Sequence, residues 1–247
     1  MPDDSLAEYA DLWPETPYDG SRGYQPQAKP RAAYAAMVSR FDRSVGRIME
    51  RLGELGLDRN TLVLFASDNG PTFATGGYDA GFFQGANGFR AEKGSVYEGG
   101  IRVPFVARQP GTVPAGRVSR AILSFPDMLP TLLDAAGAGS RVPPGLDGAS
   151  RLDALHGSGI EIPDRPFYVE FPGYGGQQMV RLGRWKAVRR DLLARPDAPV
   201  ELYDLEADPG ETTDLRAARP EIAAGLSDLM AREHRPSALF PFPALDR

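Results

Sequence analysis

The chain has 247 residues, a net charge of −5 and 42% apolar residues, a balance typical of a soluble globular fold, and it gives no electrostatic case for a nucleic-acid or anionic-membrane partner. It contains no cysteine and only two histidines, His156 and His234, which excludes disulfides, thiolate metal sites, a Cys nucleophile and a His-rich metal centre. No stretch approaches the ~18 apolar residues of a membrane span, and Met1-Pro2-Asp3-Asp4 does not read as the opening of a signal peptide, so the compartment stays open.

Residues 1 to 30 are rich in Pro, Gly, Tyr and Asp without period and read as an extended, surface-hugging segment. A helix follows. Tyr34, Met37, Val38, Phe41, Val45, Ile48, Met49, Leu52 and Leu55 recur at three- and four-residue spacing, Pro30 suits its start and Gly56 its C-terminal cap. Such a stripe is expected to pack on a sheet. Thr61 to Ala66 is a continuous apolar run, the pattern of a parallel strand buried on both faces. It ends in Asp68-Asn69-Gly70-Pro71, whose residue types are equally those of a turn and of a pair of oxygen ligands. A glycine-rich loop spans Thr72 to Lys93, and Ile101 to Ala107 reads as a second buried strand. Asp127 to Ala136 reads as a short helix stopped by Gly137. Helix, strand, loop, strand, helix is the order of an α/β layer.

After about residue 150 the pattern changes. Phe167 to Phe171, Met179 to Leu182, Trp185 to Val188 and Val200 to Leu205 read as short strands, with Gly183-Arg184 as a two-residue hairpin turn. A closing helix starts at Pro220 with Ile222, Leu226, Leu229 and Met230 on one face. Glu221 and Arg232 suit its two ends. The expectation is an α/β layer over residues 1–155 and a small α+β subdomain, an antiparallel sheet with one helix, over residues 156–247.

Three stretches carry a more specific signal: "NTLVLFASDNGP" (Asn60–Pro71), "EKGSVYEGGIRVPFVARQPG" (Glu92–Gly111) and "ELYDLEADPGETTDL" (Glu201–Leu215). "FPDMLPTLLDAAG" (Phe125–Gly137), "LDG" (Leu146–Gly148) and "RLGRWKAVR" (Arg181–Arg189) support them. In order and spacing, over nearly the whole chain, they resemble the sulfatase family of arylsulfatase type, within the alkaline phosphatase superfamily. Val96 stands where the family often has Thr, and Gln109 where it often has Trp.

The resemblance implies a mixed sheet flanked by helices and hydrolysis of sulfuric esters, of small molecules or glycans. It implies that Asp68 and Asn69 ligate a divalent cation, usually calcium, and that Lys93 contacts the sulfate. A lysine on a glycine-rich loop would otherwise read as simply solvated. Tyr97-Glu98-Gly99-Gly100 is assigned to backbone geometry, its glycines permitting close approach or positive φ. The family's formylglycine nucleophile, made within a C/S-x-P-x-R motif, has no counterpart here. Ser124-Phe125-Pro126-Asp127-Met128 lacks the Arg, and Asp3-Asp4 follows no strand. His156 and His234 match no family catalytic residue and read as surface or packing groups.

The chain is therefore expected to resemble the C-terminal part of a sulfatase, to be inactive alone, and to have as its partner an N-terminal half that carries the nucleophile and the remaining metal ligands. Hydrolysis of phosphate or phosphonate esters, or a non-catalytic role binding a partner chain, are the alternatives. Tyr78, Phe82, Phe83 and Tyr174 are candidates for stacking on a substrate ring, with packing an equal reading.

Overall fold

The computed structural model describes residues 3–72, 74–157 and 165–246. In chain order the elements are α1 (Asp3–Ala7), α2 (Pro30–Glu54), β1 (Val63–Ala66), α3 (Ala80–Phe83), α4 (Glu98–Ile101) and β2 (Phe105–Arg108). There follow α5 (Met128–Ala135), α6 (Leu152–His156), β3 (Phe167–Phe171), β4 (Gln177–Leu182), β5 (Trp185–Arg190), β6 (Glu201–Asp204) and α7 (Pro220–Glu233). Their contacts divide the chain into two units. Met1–Arg43, Ser67–Pro104 and Asp164–Arg247 form the first, Ser44–Ala66 and Phe105–Pro163 the second. This partition is discontinuous, whereas a subdomain boundary at residue 155 stays a proposal about the larger catalytic domain.

The first unit is built around a four-stranded antiparallel sheet in the order β3-β4-β5-β6. The β4–β5 hairpin closes through Gly183 and Arg184, with Leu182 opposite Trp185. Gly183 alone takes positive φ, +57°, which a glycine at the first central position of a type II′ turn supplies at no steric cost. Both faces of the sheet are covered. On one, Val180, Ala187 and Leu202 pack against Ala223, Leu226 and Met230 of α7. On the other, Met179, Val188 and Tyr203 pack against Val96 and Tyr97. Each fully buried aliphatic side chain here is worth roughly 1.5–3 kcal/mol relative to exposure. Pro220, Glu221 and Arg232 take the helix-end positions expected of them in α7.

In the second unit β1 and β2 pair antiparallel, Val63 opposite Arg108 and Ala66 opposite Phe105. The expected parallel, doubly buried strand is thus corrected: β1 is partly buried and its last residue exposed. A continuous apolar run specifies burial but not pairing direction. Ile101 also leaves the expected strand, because residues 98–101 form a helical turn whose Glu98 O accepts from Arg102 N. The strand begins only at Phe105. Around α5, the buried Asp127 takes Ser124 N and Oγ on Oδ2 and Ala149 N on Oδ1. Ser124 is thus a capping residue. A Cβ at Gly148 would lie 1.8 Å from Pro126 O, the physical reason for the glycine of "LDG". Gly137 ends α5 with φ +69°.

Two further expectations change. Residues 1–30 include the short helix α1, so they are not wholly extended. Helix α2 forms over the expected span with Gly56 at positive φ just beyond it. Its stripe, however, is only partly covered: Met37, Phe41 and Ile48 are 53%, 57% and 60% exposed, Tyr34, Val45, Met49 and Leu52 are half-buried, and the buried residues are Pro30, Ala32, Ala33 and Ala36.

Candidate functional site

Asp68 and Asn69 follow β1 in the chain, on a turn whose geometry is set by Gly70. Gly70 N donates to Gly100 O at 2.9 Å, and a Cβ at Gly70 would stand 1.9 Å from Gly99 O. Gly99 and Gly100 are crowded in turn, each with a backbone oxygen 2.1 Å from where a Cβ would sit: Ala91 O and Ser95 O respectively. Neither has positive φ, so close backbone approach is the reason for the Gly-Gly pair. The next link is Lys93 N, which donates to Pro71 O at 2.8 Å. The turn carrying Asp68 and Asn69 is therefore stitched to the loop carrying Lys93.

Asp68 is exposed, and Asn69 turns its amide NH2 to Gly70 O at 2.9 Å. Neither the Asp68 carboxylate nor Asn69 Oδ1 has a hydrogen bond among the described residues, which leaves two hard oxygen donors open, the kind a divalent cation takes. No cluster of three or more His, Cys, Asp or Glu suited to a metal occurs among the described residues.

Lys93 is exposed on the wall of a cleft of about 380 Å³, also lined by Arg90, Glu92, Tyr174, Gln177 and Arg190. Asp68 and Asn69 are not on that wall. Gln177, buried on β4, holds the Lys93 loop by both ends of its amide: Nε2 donates to Gly94 O at 2.8 Å and Oε1 accepts from Val96 N at 3.2 Å. Beneath the cleft floor, Glu201 accepts from Tyr97 OH and, at 2.7 Å, from Tyr203 OH, and meets Arg190 at 3.2 Å. Burial pushes the Glu201 carboxyl up, but the two phenols and Arg190 together outweigh it and hold it below its ordinary value. Burial and the Glu201 charge push the Tyr203 phenol up to about 12.

A second group was not apparent from the sequence. Lys186 of β5, fully buried, places Nζ 2.9 Å from Glu98 Oε1 and 2.8 Å from Glu211 Oε1. Glu211 Oε2 accepts from Glu98 N at 2.7 Å. Burial holds the Glu211 carboxyl above its ordinary value, opposed in part by the Lys186 ammonium. This triad unites YEGGIR, GRWKAVR and DPGETTDL, three stretches quoted above for their resemblance. The signal that could have found it was a lysine inside an otherwise apolar strand pattern.

His234 is no isolated surface group. Its Nδ1 lies 2.7 Å from Glu170 Oε2 and its Nε2 3.1 Å from Asp246 Oδ1, which ties β3 to the C-terminal segment. His156 sits in the last turn of α6. Tyr78, Phe82 and Phe83 pack with Tyr34 and Trp13 at centroid distances of 4.6–6.4 Å. Tyr174 alone of the four stacking candidates stands on the cleft.

Family comparisons match residues 7–138 to Sulfatase and residues 85–234 to N-sulphoglucosamine sulphohydrolase, C-terminal. Among curated proteins, arylsulfatase A of Homo sapiens is 35% identical over 225 residues, covering 81% of this chain and 43% of that protein. Among solved structures, Ps i-CgsB in complex with k-i-k-neocarrahexaose is 28% identical with a TM-score of 0.75, over 94% of this chain and 46% of that one. A protein solved with its substrate D-glucosamine-2-N,6-O-disulfate is 26% identical with a TM-score of 0.63, over 81% of this chain and 39% of that one. The chain thus spans less than half the length of each of these three proteins.

Proposed function

The chain belongs to the sulfatase family, with a mixed α/β fold of the alkaline phosphatase type, and from that premise we propose that it supplies the metal-bearing and anion-contacting part of a site hydrolysing sulfate esters. The observation carrying this reading is the Lys93 N to Pro71 O bond at 2.8 Å, which ties the ammonium-bearing loop to the turn of Asp68 and Asn69. Their open carboxylate and amide oxygens suit a hard cation, and calcium fits best because it takes six to eight oxygens, two of which come from here. When bound, such an ion supplies positive charge beside the ester sulfate. Lys93 holds a sulfate oxygen and offsets negative charge as the S–O bond breaks.

The nucleophile comes from elsewhere, since no C/S-x-P-x-R occurs in these residues. A formylglycine-bearing segment or second polypeptide is the required partner. Sulfated glycans are the favoured substrates, supported by the saccharides named in the two related structures.

The test is calorimetric titration with calcium and with inorganic sulfate, for the chain alone and mixed with a polypeptide carrying the C/S-x-P-x-R motif. Calcium binding is expected to be weak alone, tighter in the mixture and lost in Asp68→Ala. Sulfate binding is expected to be lost in Lys93→Ala. Calcium affinity in the mixture that ignores Asp68→Ala and Asn69→Ala would sink the assignment.

A further inference from the structure

Stability alone is a weak reason for the Lys186 triad. Two carboxylates share one ammonium where water is excluded, Glu98 at 3% exposure and Lys186 and Glu211 at none. Apolar residues of the same volume often match or exceed such a buried ion cluster in stability. Glu211 also holds φ +52°, in the left-handed region that glycine or asparagine takes more easily. Strained residues of this kind persist where the surroundings over-determine them, and they gather where a functional geometry has to be held.

The geometry held here is that of the helical turn α4. Glu211 Oε2 accepts from Glu98 N at 2.7 Å, and Lys186 Nζ donates to Glu98 Oε1 at 2.9 Å. The first residue of α4 is therefore fixed through both its backbone and its side chain. A second line leaves the same glutamate: Glu211 O accepts from Arg90 Nη1 at 2.9 Å, and Arg90 O accepts from Gly99 N at 2.8 Å. Both lines end on Gly99-Gly100, the pair on which Gly70 rests. Gly100 O takes Gly70 N at 2.9 Å, and Gly99 O leaves no room for a Cβ at Gly70. Gly70 in turn directs Asn69, because Gly70 O engages Asn69 Nδ2 at 2.9 Å and so leaves Oδ1 to point away. Ser67 Oγ donates to Asn69 O at 2.7 Å and braces the other side of the turn.

We infer that Glu211 and Lys186 are positioning residues for the cation turn: the triad holds α4, α4 holds Gly70, and Gly70 sets where Asp68 and Asn69 present their oxygens. Neither residue touches the ion. A turn already held in its binding geometry takes a cation with less loss of freedom than one ordered by the ion itself. The inference rests on the reading of Asp68 and Asn69 as cation donors.

The first arm of the test is native-state hydrogen exchange of the full chain in increasing urea, read by NMR. The Glu98 and Gly70 amides are expected to open in one step, with the same urea dependence. The second arm compares Glu211→Asn, which suits positive φ but ends one carbon short of Glu98 N, with Glu211→Gln, which keeps the reach. Glu211→Asn is expected to speed exchange at Gly70 about tenfold relative to the β4 and β5 amides. It is also expected to weaken calcium, titrated at the Asp68 and Asn69 amide resonances, about fivefold. Glu211→Gln should stay within about twofold of the parent in both. Leu226→Ala, on the opposite face of the sheet, should lower the melting temperature yet leave the Gly70-to-sheet exchange ratio and calcium affinity alone. Independent opening of Gly70 and Glu98 in the parent overturns the inference without any variant. So does a folded Glu211→Asn with unchanged Gly70 protection or unchanged calcium affinity, or a Leu226→Ala that reproduces both losses. If Gly70 responds as expected while calcium binds neither parent nor variants, the cation reading fails and the mechanical link from Glu211 to Gly70 stands.

Discussion

Replacing Lys186 by Met tests the buried triad most directly, because Met fills a similar volume without the ammonium. Nζ lies 2.9 and 2.8 Å from two carboxylates that are themselves buried. At an effective dielectric of about 20, each contact at such a distance is worth roughly 6 kcal/mol before desolvation. Measured losses on removing one partner of a buried pair are smaller, about 3–5 kcal/mol, and that is the expected loss here. Glu98 keeps Arg102 at 3.5 Å and Arg181 at 3.8 Å, so the stranded charge falls on Glu211. That carboxyl already titrates above its ordinary value. A raised carboxyl binds its proton more tightly when folded, so its contribution to stability declines as pH rises from the unfolded carboxylate range through the raised value. The variant exaggerates that slope: protonation of Glu211 toward acid stands in for the missing ammonium, so the loss is compared at pH 5 and at pH 8. Urea unfolding followed by tryptophan fluorescence should show the larger loss at pH 8. The triple variant Glu98→Gln, Lys186→Met, Glu211→Gln should lose less than Lys186→Met alone, since no buried charge is left unpaired. A loss below about 1 kcal/mol at pH 8, or an equal loss at both pH values, would refute the argument.

Gly99→Ala should abolish folding or cost more than about 4 kcal/mol, because the new Cβ meets Ala91 O 2.1 Å away; Gly46→Ala, with nothing within 4 Å in α2, should instead raise stability by about 0.5–1 kcal/mol, and thermal melting of the pair reads both signs. Gln177→Ala should lower stability by about 1–3 kcal/mol and leave Gly94 O and Val96 N without their partner, seen as faster hydrogen exchange at Val96 and weaker sulfate binding through Lys93. The Asp204 carboxyl is held below its ordinary value first by its hydrogen bonds from Arg184, so its contribution is present above the unfolded carboxylate pKa and lost as pH falls through the lower folded one. Below about pH 4, then, the melting temperature of Asp204→Asn should fall less steeply with acid than that of the parent.

The C-terminal sheet was legible because short runs bearing aromatic and β-branched residues are separated by turn residues, Gly183 among them: β3 to β6 and α7 formed where the pattern put them. Helix α2 was equally legible as a helix, but periodicity reports a stripe and not what lies against it. Pairing direction of β1 was hidden for a similar reason, since a run such as Val63 to Ala66 is apolar in either orientation. Lys186 was hidden by a third layer. In a two-layer sheet its face would look toward water, where a lysine is unremarkable; here residues 96 and 97 cover that face and the lysine needs two carboxylates. The roles proposed for Asp68, Asn69 and Lys93 come from the resemblance, since their residue types alone also describe a turn and a solvated loop. The Gly99-Gly100 pair was better determined, because only close approach or positive φ asks for two glycines together, and the structure chooses the first.

The triad also sets an order of events during synthesis. Glu98 finds neither Lys186 nor Glu211 nearby in sequence, the separations being 88 and 113 residues. The loop bearing Lys93 can settle only after Glu211 has left the ribosome, 118 residues later (211 − 93). At roughly 5–20 residues per second that is a wait of about 6–24 s. Throughout it Glu98 stays hydrated and the Gly99-Gly100 turn has no sheet to rest on, so a nascent chain stalled before Glu211 should expose this loop to protease and become protected in a single late step.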